Sequence, residues 1–155
     1  MAPCIGQIGI MDTFVNEIRK SFELGESDVR SYSPLVLAYV GDSVYEVIVR
    51  TLLTDSGTGT VQKLHKKATK YVRASAQAFI ITSLKDELTE LERDVYKRGR
   101  NAKSHKAPKN GSLSEYHKAT AFEAVVGYLF LNNEMDRLFY LVKKGIELVN
   151  AKDDK

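Results

Sequence analysis

Apolar residues recur at three- and four-residue spacing along most of the chain, and no stretch alternates convincingly with period two. That pattern predicts an all-α fold, a set of helices separated by short breaks. The first helix is expected over about Asp12 to Leu24, with Phe14, Val15, Ile18 and Phe22 on one side, Glu17, Arg19 and Lys20 on the other, and Gly25 as its stop. Ser33 followed by Pro34 reads as an N-cap with proline at the first helical position, opening a long helix from Pro34 to about Leu53. After the loop Asp55-Ser-Gly-Thr-Gly, Thr60 caps a basic helix that runs through Tyr71 and, across a break, on to Leu84. Thr89 and Glu92 stand at capping-box spacing ahead of a helix ending near Arg98, with Gly99 as its stop. Arg100 to Leu113 is a loop by composition. Ser114 or His117 begins an apolar helix to about Leu131, and Asn132-Asn133 turns the chain into a last amphipathic helix, Glu134 to Val149. These elements make one domain over residues 12–150, preceded by a tail over 1–11 and followed by a polar, frayed tail over 151–155.

The segment Leu35 to Leu53 is apolar around almost its whole circumference, which places it in the core. Its only charges, Asp42, Glu46 and Arg50, recur at i, i+4 and i+8 and so share one stripe. The second apolar helix, Ala119 to Leu131, carries a single charge, Glu123, with Thr120 on the same side. Burying an isolated carboxylate costs several kcal/mol unless something positive meets it. Two arrangements answer that need. Arg50 can pair with Glu46 or Glu123 while Asp42 accepts backbone or hydroxyl hydrogen bonds. Alternatively a divalent cation can sit between Asp42 and Glu123, because carboxylate oxygens plus waters are what Mg²⁺ takes. Gly41 and Gly127 each cost roughly 1 kcal/mol relative to alanine inside a helix, which argues for a close crossing that brings the carboxylates together.

Net charge changes the picture only when it is divided along the chain. The 155 residues hold 23 Lys and Arg against 20 Asp and Glu, a bland +3. Residues 63–73 carry five basic side chains and no acid, and residues 97–118 carry seven against Glu115 alone. Together these two stretches hold +11 and leave −8 for everything else. One surface is therefore expected to face a polyanion. The single Cys4 excludes an internal disulfide or a zinc cluster and suits a reducing compartment. No stretch approaches the roughly 20 apolar residues of a membrane span, and residues 1–11 lack the features of a signal peptide. A cytoplasmic protein with no membrane partner is expected.

Leu37-Ala-Tyr-Val-Gly-Asp-Ser-Val-Tyr-Glu resembles the signature helix of the ribonuclease III catalytic domain, built around a Gly-Asp pair, and Thr120-Ala-Phe-Glu-Ala-Val-Val-Gly resembles that domain's second acidic helix. Leu64-His-Lys-Lys and Lys97-Arg-Gly-Arg-Asn-Ala-Lys-Ser, with the later Pro108-Lys-Asn, resemble the Mini-III branch, bacterial homologues without the double-stranded RNA-binding domain. The resemblance covers about residues 34–150. It implies a single ribonuclease III-type domain acting as a homodimer, with Asp42 and Glu123 as catalytic residues and metal ligands for Mg²⁺, or Mn²⁺ in its place. Glu46, Thr120 and Arg50 take supporting places around them. Leu35 and Ala38 stand where full-length ribonuclease III has glutamates, and Thr120 where it has an aspartate; the Mini-III branch resembles this chain in both respects.

The activity so implied is hydrolysis of double-stranded RNA to 5′-phosphate and 3′-hydroxyl ends. By the same resemblance the substrate is a paired stalk of the 23S ribosomal RNA precursor, with a ribosomal protein bound to it as a further partner. RNA phosphates are then met by His65, Lys66, Lys67, Lys70, Arg98, Arg100, Asn101, Lys103, Lys106 and Lys109. His65, His105 and His117 are too scattered for a metal cluster. The alternative is a non-catalytic RNA-binding or ribosome-associated protein of the same fold, which has no reason to keep Asp42 and Glu123 in apolar helices. A helical protein-interaction module explains the acidic stripe but leaves the basic loop without a purpose.

Overall fold

Ser33, Thr60 and Thr89 each start a helix, as their positions predict. In the computed structural model, which describes residues 12–57, 59–103 and 111–155, the Ser33 hydroxyl accepts from Val36 N at 3.3 Å and the Thr60 hydroxyl from Lys63 N at 3.3 Å. Thr89 closes a full capping box, its hydroxyl accepting from Glu92 N at 3.2 Å while Glu92 Oε1 accepts from Thr89 N at 3.0 Å. Seven α-helices result among the described residues: α1 (Phe14–Ser21), α2 (Pro34–Ser56), α3 (Val61–Val72), α4 (Ala74–Leu84), α5 (Glu90–Asn101), α6 (Leu113–Leu131) and α7 (Met135–Asp153). Two single 3₁₀ turns join them, and no strand occurs among the described residues.

Helix ends depart from the expectations in three places. α1 closes on Glu23, which takes φ +53°, while Leu24 N donates to Arg19 O at 2.8 Å; Gly25 is not the stop. α5 runs through Gly99 to Asn101. A Cβ on Gly99 would lie 2.9 Å from the Cα of Ala121, so this glycine serves the contact of α5 with α6 rather than a turn. α7 continues into the polar segment expected to fray. Lys70 Nζ pairs with Asp153 at 2.7 Å, and Asn150 Oδ1 accepts from the Tyr71 hydroxyl at 2.6 Å, which ties the last turns of α7 to α3.

α2 and α6 form the centre. α6 lies against α2 on one side and against α4 and α5 on others, with α7 completing the layer beside α4. Leu37, Tyr45 and Val49 of α2 meet Ala121, Phe122, Val125 and Leu129 of α6 in the core, joined by Ile80, Ile81 and Leu84 of α4. The outer face of α2 is different. Tyr39, Val47 and Leu52 remain exposed there, bordering concavities completed by Phe14 and Phe139. No helix of the described residues is long and apolar enough to cross a membrane.

Candidate active site

The site begins with two glycines. A Cβ on Gly41 would overlap the Glu123 carbonyl oxygen, and a Cβ on Gly127 would overlap that of Leu37. The backbones of α2 and α6 are therefore in direct contact, at a separation that no side chain fits. Asp42 follows Gly41, and Glu123 stands one turn before Gly127. Close by, the Tyr45 ring meets Phe122 edge to face at 5.0 Å between centroids, and the Tyr45 hydroxyl donates to Tyr71 O at 2.8 Å. These contacts lock the register of the crossing.

The charge of Asp42 bears on Glu123 unfavourably, and among the described residues no lysine or arginine is paired with either. Glu123 is half-buried, and its carboxyl is pushed up to about 8, first by burial and then by the charge of Asp42, with Glu46 adding; a hydrogen bond from Gln77 opposes the rise. Asp42 is raised by burial and by Glu46. Arg50 forms the internal salt bridge, but with Glu46, its Nε donating to Oε2 at 3.0 Å. It does not reach Glu123. Among the described residues neither Asp42 nor Glu123 pairs with a lysine or arginine, and no third His, Cys, Asp or Glu completes a metal cluster with them. Thr120, half-buried, donates its hydroxyl proton to Tyr116 O at 3.0 Å.

An oxygen-only donor set with uncompensated charge fits a hard divalent cation that keeps several waters. A further observation agrees. Gln77 of α4 is buried with its Oε1 lacking any hydrogen-bond partner, while its Nε2 donates to Val72 O at 2.8 Å. Gln77 is not among the residues that the sequence pattern singles out. Its one signal was an amide inside Ala74–Leu84, a helix with no charged residue.

The basic side chains divide into two groups. His65, Lys66 and Lys67 are exposed on α3, and Arg100, Asn101 and Lys103 are exposed at the end of α5, where they line an open concavity with Ser114 and His117. Lys70 and Arg98, expected as RNA contacts, are engaged within the chain. Lys70 holds Asp153 and Asn150. Arg98 Nη2 donates to Tyr32 O at 2.8 Å and its Nη1 lies 3.8 Å from Asp94. Lys106 and Lys109 lie outside the described residues.

The Ribonuclease III domain model matches residues 35–134, from the first turn of α2 to just past α6, which assigns the crossing and its carboxylates to the ribonuclease III class of domains. Among curated relatives, the Mini-ribonuclease 3 of Clostridium tetani is 45% identical over 135 residues, spanning 84% of this chain and 89% of the relative. That of Enterococcus faecalis is 42% identical over 130 residues, spanning 83% and 98%. A crystal structure of a Fusobacterium nucleatum protein aligns with a TM-score of 0.71 at 29% identity, covering 79% of this chain and 98% of that one. The chain belongs to the ribonuclease III family, in its Mini-ribonuclease 3 branch.

Proposed function

We propose that the chain is a divalent-cation-dependent endoribonuclease that cuts double-stranded RNA, with Asp42 and Glu123 as its catalytic residues and metal ligands. The observation that carries this reading is the Gly41–Gly127 crossing, which sets an exposed Asp42 beside a half-buried Glu123 with no lysine or arginine paired to either among the described residues. A protein that only bound RNA would gain nothing from such a pair, because uncompensated acids repel phosphate.

Mg²⁺, or Mn²⁺ in its place, supplies when bound an activated water as nucleophile and positive charge beside the scissile phosphate and leaving oxygen. Asp42 and Glu123 hold it through carboxylate oxygens. Glu46, oriented by Arg50, keeps a further negative charge one turn from Asp42, and Thr120 stands one turn before Glu123. His65, Lys66, Lys67, Arg100, Asn101 and Lys103 meet RNA phosphates, together with Lys106 and Lys109 of the basic segment. Products carry 5′-phosphate and 3′-hydroxyl ends.

Two strands require two sites, which a homodimer supplies. The outer face of α2 supports it: Tyr39 is 80% exposed and Phe14 beside it 68%, large apolar surface that a second copy would cover. Within this reading the substrate is a paired stalk of the 23S ribosomal RNA precursor in the cytoplasm, shaped by a bound ribosomal protein.

The test is incubation of the protein with a long RNA duplex, and with the 23S precursor stalk, with and without Mg²⁺ and beside Asp42→Asn. Cutting that needs both the cation and Asp42 is expected. Equal cutting by wild type and Asp42→Asn overturns the site, and tight binding by both without any cutting moves the assignment to the non-catalytic alternative.

A further inference from the structure

Gln77 and Glu92 are the two polar side chains that the described residues bury almost completely, each 2% exposed. Both oxygens of Glu92 are hydrogen-bonded. Gln77 is satisfied on one side only, its Nε2 donating to Val72 O at 2.8 Å while Oε1 finds no partner. A buried amide oxygen left unpaired destabilises the folded chain, which an apolar side chain of similar length would avoid. Capping the last turn of α3, which ends at Val72 before the extended Arg73, accounts for the nitrogen. It does not account for the oxygen. Across the direct packing of α4 on α6, the same amide bears on the Glu123 carboxyl and opposes its rise.

We propose that Gln77 is a positioning residue for Glu123: its amide, pinned to the Val72 carbonyl, sets the orientation in which that carboxylate takes a divalent cation. The inference rests on reading Asp42 and Glu123 as the cation site. A neutral donor is the chemistry this position needs. Lysine or arginine would neutralise Glu123 and compete with the cation, whereas an amide orients the carboxylate without cancelling its charge. Oε1 stays available to accept a hydrogen bond from a water of the cation's shell, which resolves the unpaired atom. Groups that orient a metal ligand from behind commonly change metal affinity about 10–100-fold when removed.

The experiment measures Mn²⁺ binding by calorimetry on RNA-free protein, for wild type, Asp42→Asn and Gln77→Met, with thermal unfolding of each. Gln77→Met keeps length and apolar volume and removes the amide. Binding by wild type, about tenfold weaker binding by Gln77→Met and none by Asp42→Asn is expected. If wild type binds no better than Asp42→Asn, the cation-site reading itself fails. If Asp42→Asn loses the cation while Gln77→Met binds like wild type and only melts lower, Gln77 merely caps α3 and this inference is overturned. Should Gln77→Met not fold, the wild-type protein decides: Mg²⁺ is titrated while the Gln77 side-chain amide signals are followed by NMR. They are expected to shift together with the backbone signals of Asp42 and Glu123. Unmoved Gln77 signals, with the other two shifting, overturn the inference equally.

Discussion

Two glutamates in the helical layer around α6 meet opposite fates. Glu92 of α5 is almost fully buried, yet Arg137 of α7 grips it through Nε at 2.9 Å and Nη2 at 3.0 Å, and Thr89 N donates to it at 3.0 Å. The same guanidinium reaches Glu87 O at 2.6 Å, so one charge pair joins α5 to α7 and closes a helix N-terminus. Glu123 of α6 is less deeply buried and has no such partner among the described residues. Its neighbour Asp42 carries the same sign, and its carboxyl sits at about 8. A buried charge matched inside the chain holds the fold, whereas one left unmatched marks where something from outside must enter.

Exchanging each glutamate for its amide is the strongest way to break this contrast. Glu123→Gln and Asp42→Asn should lower cleavage of duplex RNA by about 10³-fold with no loss of stability. Glu92→Gln should leave turnover per folded molecule intact but cost about 3 kcal/mol, since it strands Arg137. Urea unfolding beside a cleavage assay separates the two, and a Glu123→Gln protein as unstable as Glu92→Gln would dissolve the distinction. Gly41→Ala comes next, because its methyl group must displace backbone. A cost of about 3 kcal/mol is expected, against less than about 0.5 kcal/mol for Gly57→Ala, where a Cβ meets nothing within 4 Å.

The pH response sharpens the contrast further. Glu123 ionises near 4.5 in the unfolded chain and near 8 in the folded one. Between those values the folded state keeps a proton that the unfolded state has released, so stability of the cation-free protein should fall as pH rises from about 4.5 to 8. Asp42, also raised, acts in the same direction from lower pH. The loss should be roughly 2 kcal/mol, less than the full shift implies because the side chain keeps some solvent contact. Glu123→Gln should flatten the curve, and saturating Mn²⁺ should abolish it; a Glu123→Gln profile as steep as wild type would refute the assignment. The smallest effects concern the basic residues. Neutralising Arg100 or Lys103 should each reduce the salt dependence of RNA binding by about one unit of slope. Arg98→Gln should leave that slope unchanged and lower the melting temperature instead, because it removes the hydrogen bond to Tyr32 O.

Much of this was legible from local spacing. Ser33, Thr60 and Thr89 announce helix starts because a cap and its N–H partner lie within one turn, and the Asp42, Glu46 and Arg50 stripe follows from helical period alone. Glycine was less readable. Gly25 and Gly99 both read as stops, yet one stands beyond the actual end and the other lies inside a helix, because a glycine that ends a helix and one that lets another helix approach look the same in sequence. Basic runs hide such differences as well: Arg98 and Lys70 both sit in them, and Arg98 donates to Tyr32 O, 66 residues away, while Lys70 donates to Asn150, 80 away.

The amino-acid sequence by itself determined that the chain is helical, which two helices are central, and that Gly41 and Gly127 let them cross with Asp42 and Glu123 beside the contact. Only the tertiary structure decided which acid receives which cation. Glu46 takes Arg50 from its own helix, Glu92 takes Arg137 from 45 residues away, and Glu123 takes no lysine or arginine among the described residues. Helical period is a local property of the backbone and can be read in a window of a few residues. The partner of a buried charge is set by whichever element the folded core brings alongside, and no local window contains that information.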